Sequence, residues 1–266
     1  MSWRDFWNGE HAIYVSDRHM ALHYRRIAQD IAAAVPSKDA AVLDVGCGEA
    51  LSADLVAAAS GRLILCEAAP TVREKLKARF GTLANLSVVS PEEVETLPDD
   101  SLDLVVANSL IQYLSEDELK RALATWLAKL KPGGELILAD VIPPDLSALT
   151  DATELLGFAW RGGFLIAALG GLVRTVFSDY RKLRAQYGLS TYSAVGISAL
   201  VEAAGFKGVT RRTNFGHNPH RMAFSARKPL ALEVSTPWPR SHSHSPSSPW
   251  LWPAPWPASS MPIRCR

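Results

Sequence analysis

Ala41-Val42-Leu43-Asp44-Val45-Gly46-Cys47-Gly48-Glu49-Ala50 is the stretch that most restricts what this chain can become. Small and apolar residues run into an acid, then a turn with two glycines, then a segment, Ser52 to Ser60, that reads as helix. A strand that is apolar on both faces belongs inside a parallel sheet, so the pattern is strand, tight turn, helix. Gly46 and Gly48 let the backbone turn sharply and let a ligand lie against it with no Cβ between. The next apolar run, Leu63 to Cys66, ends in Glu67. A carboxylate at the tip of the neighbouring strand can accept hydrogen bonds from both hydroxyls of a ribose.

Two nucleoside sites compete for this pattern. A dinucleotide site wants G-x-G-x-x-G with an acid about 20 residues on. The acid fits, but Leu51 stands where the third glycine belongs, and Asp44 lies close to where a pyrophosphate would sit. A carboxylate there repels phosphate and suits a ligand that carries an ammonium and a sulfonium. D-V-G-C-G-E-A, with Glu67 beyond it, resembles motif I and the ribose-binding acid of the class I S-adenosylmethionine methyltransferases.

Two further stretches are similar to that family. Leu97-Pro98-Asp99-Asp100-Ser101-Leu102-Asp103-Leu104-Val105-Val106 looks like its L-P-x-x-x-x-F-D-x-V segment, with Leu102 in place of the aromatic. Leu130-Lys131-Pro132-Gly133-Gly134 looks like its L-K-P-G-G turn into the fifth strand. The resemblance covers roughly residues 38 to 142 and, more loosely, the chain to residue 226. It implies S-adenosylmethionine as cofactor, with Asp44, Gly46, Cys47 and Gly48 at the methionine end and Glu67 and Ala68 at the ribose. It also implies an acid after the third strand for the adenine, here Glu92 or Glu93, and Asn108 beside the methionine end. The alternative for those two acids is a solvated helix start favoured by the helix dipole.

Asn108-Ser109-Leu110-Ile111-Gln112-Tyr113 departs from the N-P-P-Y of enzymes that methylate amino groups on nucleic-acid bases. It looks more like methyltransferases acting on small metabolites, N-methylating domains of peptide synthetases included. Methyl transfer from a sulfonium is a direct displacement, so the protein's main task is to align the acceptor. An oxygen or carbon acceptor needs a base, and His23, Tyr113 and Asp140 are the candidates, with Gln112 as an orienting group. An amine acceptor can react without one.

The chain has 266 residues, 48% hydrophobic and 21% charged, enough for one domain with a substantial core and an appendage. Its net charge of +1 gives no electrostatic reason to expect nucleic acid as partner. Three cysteines without paired spacing suggest neither a disulfide framework nor a zinc site. His19 and His23 lie four apart on a helix face, but H-E-x-x-H is absent, so no metal is expected. The N-terminus shows no long apolar stretch, and a cytoplasmic location is the default expectation.

Residues 1–37 are expected to form an N-terminal helical cap, its helix running from Ser16 or Asp17 to about Val35. The resemblance implies that this helix covers the cofactor, with Tyr14 and His23 as cleft residues. From residue 38 to 230, short apolar runs alternate with helical stretches, 50–59, 70–80 and 115–131 among them. This is an α/β pattern: a Rossmann-like, mostly parallel sheet of seven strands with helices on both faces. Residues 145–190 interrupt the alternation, and their apolar runs fall short of the ~20 residues a bilayer span needs. They read as a helical lid after the fifth strand. Its apolarity fits packing onto the domain, an apolar acceptor, or peripheral membrane contact, since Arg174, Arg181, Lys182 and Arg184 follow. His217 and His220 read as surface residues of a loop. Residues 231–266, crowded with Pro, Ser, His and four of the eight tryptophans, read as disordered.

The expected function is therefore methyl transfer to a small-molecule acceptor, with an apolar one among the options the lid leaves open. A non-methylating enzyme of the same fold, such as an aminopropyl transferase, and a catalytically silent cofactor-binding module are the alternatives.

Overall fold

The computed structural model describes residues 14–176 and 189–230. Its first helix, α1 (Asp17–Ala34), begins where the Ser16 side chain accepts a hydrogen bond from the His19 backbone N–H. Such a cap satisfies one of the helix's unpaired donors, and Pro36 forces the residue before it out of helical conformation. Strands and helices then alternate: β1 (Ala41–Val45), α2 (Ala53–Ala59), β2 (Arg62–Cys66), α3 (Pro70–Phe80) and β3 (Leu86–Val89). After these come α4 (Pro91–Glu95), β4 (Leu102–Asn108), α5 (Glu116–Lys129) and β5 (Leu130–Val141). The lid helices α6 (Ala148–Gly162) and α7 (Leu165–Val176) precede α8 (Ala194–Ala203), β6 (Lys207–Arg212) and β7 (Met222–Arg227).

The strands form one seven-stranded sheet in the order β3-β2-β1-β4-β5-β7-β6. β1 to β5 run parallel, and β7 lies antiparallel to both of its neighbours. The order reverses between β1 and β4, so the ligand crevice of such a sheet opens at the carboxyl ends of those strands. Successive residues of β1 face opposite layers. Leu43 packs with Leu119, Leu123 and Trp126 of α5, whereas Val42 packs with Ile31 of α1, Val56 of α2 and Leu76 of α3. Both are fully buried, which is why the strand reads as apolar on both faces up to Asp44. Each such side chain contributes roughly 1.5–3 kcal/mol on burial.

Two local expectations shift. α2 begins at Ala53 and not at Ala50, because Ala50 holds a φ of +39°, outside the right-handed helical region. Leu130 to Gly134 is an irregular entry into β5 and not a separate turn. Leu130 already pairs with Leu102, and the register slips before Glu135 meets Leu104. Gly133 donates to the Lys228 carbonyl, and the Lys228 N–H donates to Gly134, so the end of β7 holds the entry in place.

The lid packs onto α1 through a cluster of its own, with Phe164, Ala159 and Ala168 buried against Val15 and Leu22. The insertion is helical up to residue 176. Its remainder to residue 188, the first 13 residues and the 231–266 tail lie outside the described residues. No helix among the described residues is long and apolar enough to cross a membrane.

Candidate functional site

The turn after β1 curls over the tip of β2, where the Gly46 and Cys47 N–H groups both donate to the Cys66 carbonyl. Glu67 follows directly. Its Oε2 accepts from the Gly48 N–H at 3.0 Å and its Oε1 from the Ala69 N–H at 2.9 Å. Each carboxylate oxygen therefore keeps acceptor capacity while the side chain is pinned and buried. Asp44, on the adjoining strand, is buried as well. Burial and then the Glu67 charge raise its pKa from 3.8 to about 7. Among the described residues neither carboxylate is ion-paired, and two buried acids without a cation favour a cationic ligand between them. Burial also pushes the Cys66 thiol up to about 12 and Cys47 well above its ordinary value. Both stay thiols at neutral pH and are poor nucleophiles.

Gly46 and Gly48 hold φ values of +68° and +58°, the left-handed region that favours glycine. A Cβ on Gly46 would lie 2.8 Å from Leu110, and one on Gly48 2.6 Å from the Tyr24 hydroxyl. The space at Gly48 is thus taken by a tyrosine of α1, where the sequence suggested room for a ligand. Tyr24 is the site residue that sequence reasoning missed, one position past His23 and marked by no motif. Its hydroxyl accepts from the Glu49 N–H at 3.0 Å and is hydrogen-bonded to Tyr14. Burial pushes Tyr24 up to about 12 and Tyr14 well above 10, so both remain neutral. Gly48→Ala is expected to cost about 1–3 kcal/mol in a urea titration, from strain and crowding together. Adding Tyr24→Phe should recover part of that loss. Strictly additive losses in the double variant would clear Tyr24 as the obstacle.

A cavity of about 630 Å³ runs along the strand ends. It brings together Asp44, Gly46, Cys47, Gly48, Glu67 and Ala68 on one side, and Asn108, Tyr113, His23 and Tyr14 on the other. Asn108 donates from Nδ2 to the Ser109 hydroxyl at 3.2 Å, and that hydroxyl donates to Asp140 Oδ2 at 2.6 Å. Asn108 Oδ1 is left buried with no hydrogen-bond partner, an acceptor at the cavity wall. A buried unpaired acceptor costs about 1–3 kcal/mol, which a donating ligand would offset.

Other candidates fall elsewhere. Asp140 is not among the lining residues; it pairs with Arg221 Nη1 at 3.2 Å, and Arg221 Nη2 reaches Asp151 of α6 at 2.9 Å. Asp140, a candidate base from the sequence, is thus linked through Arg221 to Asp151 of α6 and lies outside the cavity lining. Gln112 is buried in the 3₁₀ turn Ile111–Tyr113 and does not line the cavity, and its Oε1 has no partner. Glu93 is exposed and closes a capping box at the start of α4, accepting from the Ser90 N–H at 2.6 Å. This is the helix-start alternative to an adenine contact, and Glu95, two residues on, lines the cavity in its place.

The histidines form an aromatic cluster. His23 is half-buried, its Nδ1 buried and unpartnered, and desolvation, then His217 and His19, lower its pKa to about 3. His19 stacks on Phe164 at 5.0 Å between ring centres. His217 stacks on Phe158 at 4.5 Å and lies 6.0 Å from His23, which corrects its reading as a surface residue. His220 is exposed and meets Glu154 at 3.3 Å. Among the described residues no group of three or more potential ligands could hold a metal ion.

The family described as "Methyltransferase domain" matches residues 42–134. Among curated proteins, the ubiquinone/menaquinone biosynthesis C-methyltransferase UbiE of Escherichia fergusonii is 27% identical over 138 residues, 52% of this chain and 51% of that protein. The same enzyme of Salmonella paratyphi B is 26% identical over 155 residues, 56% of this chain and 58% of that one. The chain thus spans about half the length of the curated relatives it matches. Among solved structures, human N-acetylserotonin methyltransferase in complex with SAM superposes with a TM-score of 0.51 at 14% identity, covering 80% of this chain and 54% of that one. The [4+2]-cyclase SpnF also superposes with a TM-score of 0.51, at 19% identity, covering 77% and 81%. Likeness at that identity concerns the fold alone.

Proposed function

We propose, from this chain's membership of the class I S-adenosylmethionine-dependent methyltransferase family, that it moves a methyl group from that cofactor to a small-molecule acceptor. The observation that carries the reading is the unpaired couple of buried carboxylates, Asp44 and Glu67, at the glycine turn. The residues fit the cofactor chemically. Glu67 keeps lone pairs for two ribose hydroxyls, while Asp44 and the orphaned Asn108 Oδ1 offer acceptors to an ammonium group. Bound S-adenosylmethionine would supply an electrophilic methyl group on a sulfonium.

The chain's own residues bind, orient and exclude water. Tyr14 and Tyr24 stay uncharged beside the turn, so α1 covers the cavity with aromatic surface that brings no competing charge. His23, neutral and unpartnered at Nδ1, orients the acceptor through a hydrogen bond. With its pKa near 3 it is too weak a base to take a proton efficiently at neutral pH. The relatives' printed carbon methylation favours a carbon acceptor here, and the apolar lid favours an apolar one.

SpnF, a cyclase with this fold, keeps a non-methylating enzyme open as the second reading, since a fold does not settle chemistry. Calorimetric titration with S-adenosylmethionine, S-adenosylhomocysteine and NAD separates the cases, followed by transfer of labelled methyl to a metabolite extract. Binding of the first two with label in a product is expected. NAD binding alone overturns the cofactor assignment, and cofactor binding without label overturns methyl transfer. His23→Ala should lower kcat/KM about 100-fold by misplacing the acceptor, with cofactor affinity nearly unchanged. An equal loss of cofactor affinity would move His23 out of the acceptor side.

A further inference from the structure

α7 is apolar on every side through Leu165-Ile166-Ala167-Ala168-Leu169-Gly170-Gly171-Leu172. One side is satisfied, with Ala168 buried and Leu165 half-buried in the cluster against α1. The other is not: Ile166 is 88% exposed and Leu169, three residues on, 50%. Trp160, at the end of α6, is 75% exposed and shares a groove with Ile166, Phe164 and Ala167. Helices apolar all round are normally covered, and a contiguous exposed apolar patch marks a contact surface.

The charges around the patch select the occupant. Arg18 lines the groove and is fastened there by its Nε, which donates to the Gly162 carbonyl. Arg161 is exposed beside Trp160. No acid is among the groove's lining residues, and Asp17, the sequence neighbour of Arg18, lies in the first turn of α1, where the helix dipole offsets its charge. Apolar side chains with Arg18 in the groove lining and Arg161 exposed next to Trp160 in sequence, together with a tryptophan that carries both an apolar body and an N–H, match the boundary of a bilayer. A second copy of the chain fits less well, because a two-fold contact lays the same patch on itself and brings the cations of both copies into one interface with no acid in the groove to pair them.

We propose that this outer face of the α6–α7 lid docks on an anionic lipid surface. The face lies one layer of side chains from the cavity, since Phe164 stacks on His19, whose ring centre is 6.1 Å from that of His23. A short route for a lipid-borne acceptor follows from the methyl-transfer reading, but the docking itself does not depend on it.

Cosedimentation of the full chain with phosphatidylcholine vesicles, with and without phosphatidylglycerol, tests the proposal. Binding is expected with phosphatidylglycerol present and should weaken as salt is raised. Ile166→Asp and Trp160→Asp, each at an exposed position and checked for folding by circular dichroism, should each reduce binding about tenfold or more. Arg161→Glu should reduce binding to the anionic vesicles only. Failure of the parent chain to bind overturns the proposal, as does unchanged binding by both aspartate variants. A concentration-dependent dimer that Ile166→Asp abolishes, without vesicle binding, would also overturn it and give the face to a second copy.

Discussion

Glu67→Ala is expected to weaken S-adenosylmethionine binding at least about 100-fold. Hydrogen bonds to a charged group contribute about 1.5–3 kcal/mol each, and two ribose hydroxyls would lose such a bond together. The same change is expected to destabilise the fold, which the motif alone does not suggest. Glu67 holds the Gly48 and Ala69 N–H groups, and alanine leaves both without their acceptor, at about 1–3 kcal/mol for each one that stays buried. Glu67→Gln separates the effects. It keeps the size and one carbonyl acceptor, so stability should fall less, while the loss of charge still weakens the ribose bonds. Calorimetric titration gives the affinity, and a urea titration of the same samples gives the stability. Unchanged affinity in Glu67→Gln would remove Glu67 from the ribose site.

The fold was legible wherever local chemistry and burial agree. β1, β2 and β4 are mostly apolar, with Asp44 and Asp103 the acids within them, because helices cover both faces of the sheet, and Pro70 marks the first residue of α3 as a proline at a helix start should. The serine caps at Ser16, Ser90 and Ser115 are equally local. What escaped was set at a distance. The entry to β5 looks like a simple Pro-Gly-Gly turn until Lys228, nearly a hundred residues on, pairs with both glycines. The start of α2 depends on a positive φ at Ala50 that no propensity favours.

The site divides the same way. Asp44, the glycines and Glu67 are close in sequence and in space, because adjacent parallel strands place their tips side by side. Tyr24 lines the site from α1 and His217 backs His23 from the β6–β7 loop, and nothing in their neighbours' identities announces it. Asp140 stands at a strand tip, as a catalytic acid might, but Arg221 from a distant loop engages it. Glu93 had the right position and composition for an adenine contact. A capping box needs the same residue at the same place, and sequence alone does not distinguish the two uses.

Asp44→Asn is expected to move stability and binding in opposite directions. The folded-state pKa of Asp44, about 7, lies above its unfolded value near 3.8, so the folded protein holds this proton more tightly. The sign follows from the linkage relation. The contribution of Asp44 to stability is greatest below pH 4, falls as pH rises from about 4 to about 7, and is flat beyond, a loss on the order of 4 kcal/mol. Asparagine does not titrate, so the variant should lack this slope and gain on the parent steadily up to pH 7. Binding follows the other half of the cycle. A cationic ligand needs the ionised carboxylate, so parental affinity should rise with pH, up to tenfold per unit, and level off near 7. Above about pH 8 it should fall again as the ligand's α-amino group loses its proton. The asparagine variant should bind about 10- to 100-fold more weakly at pH 7.5 and show no rise below 7. Urea midpoints and calorimetric titrations at matched pH values check both limbs. Parallel stability profiles for the two proteins would mean that Asp44 is not held protonated by its surroundings. A matching rise of affinity in the variant would mean that another group carries the ligand's charge.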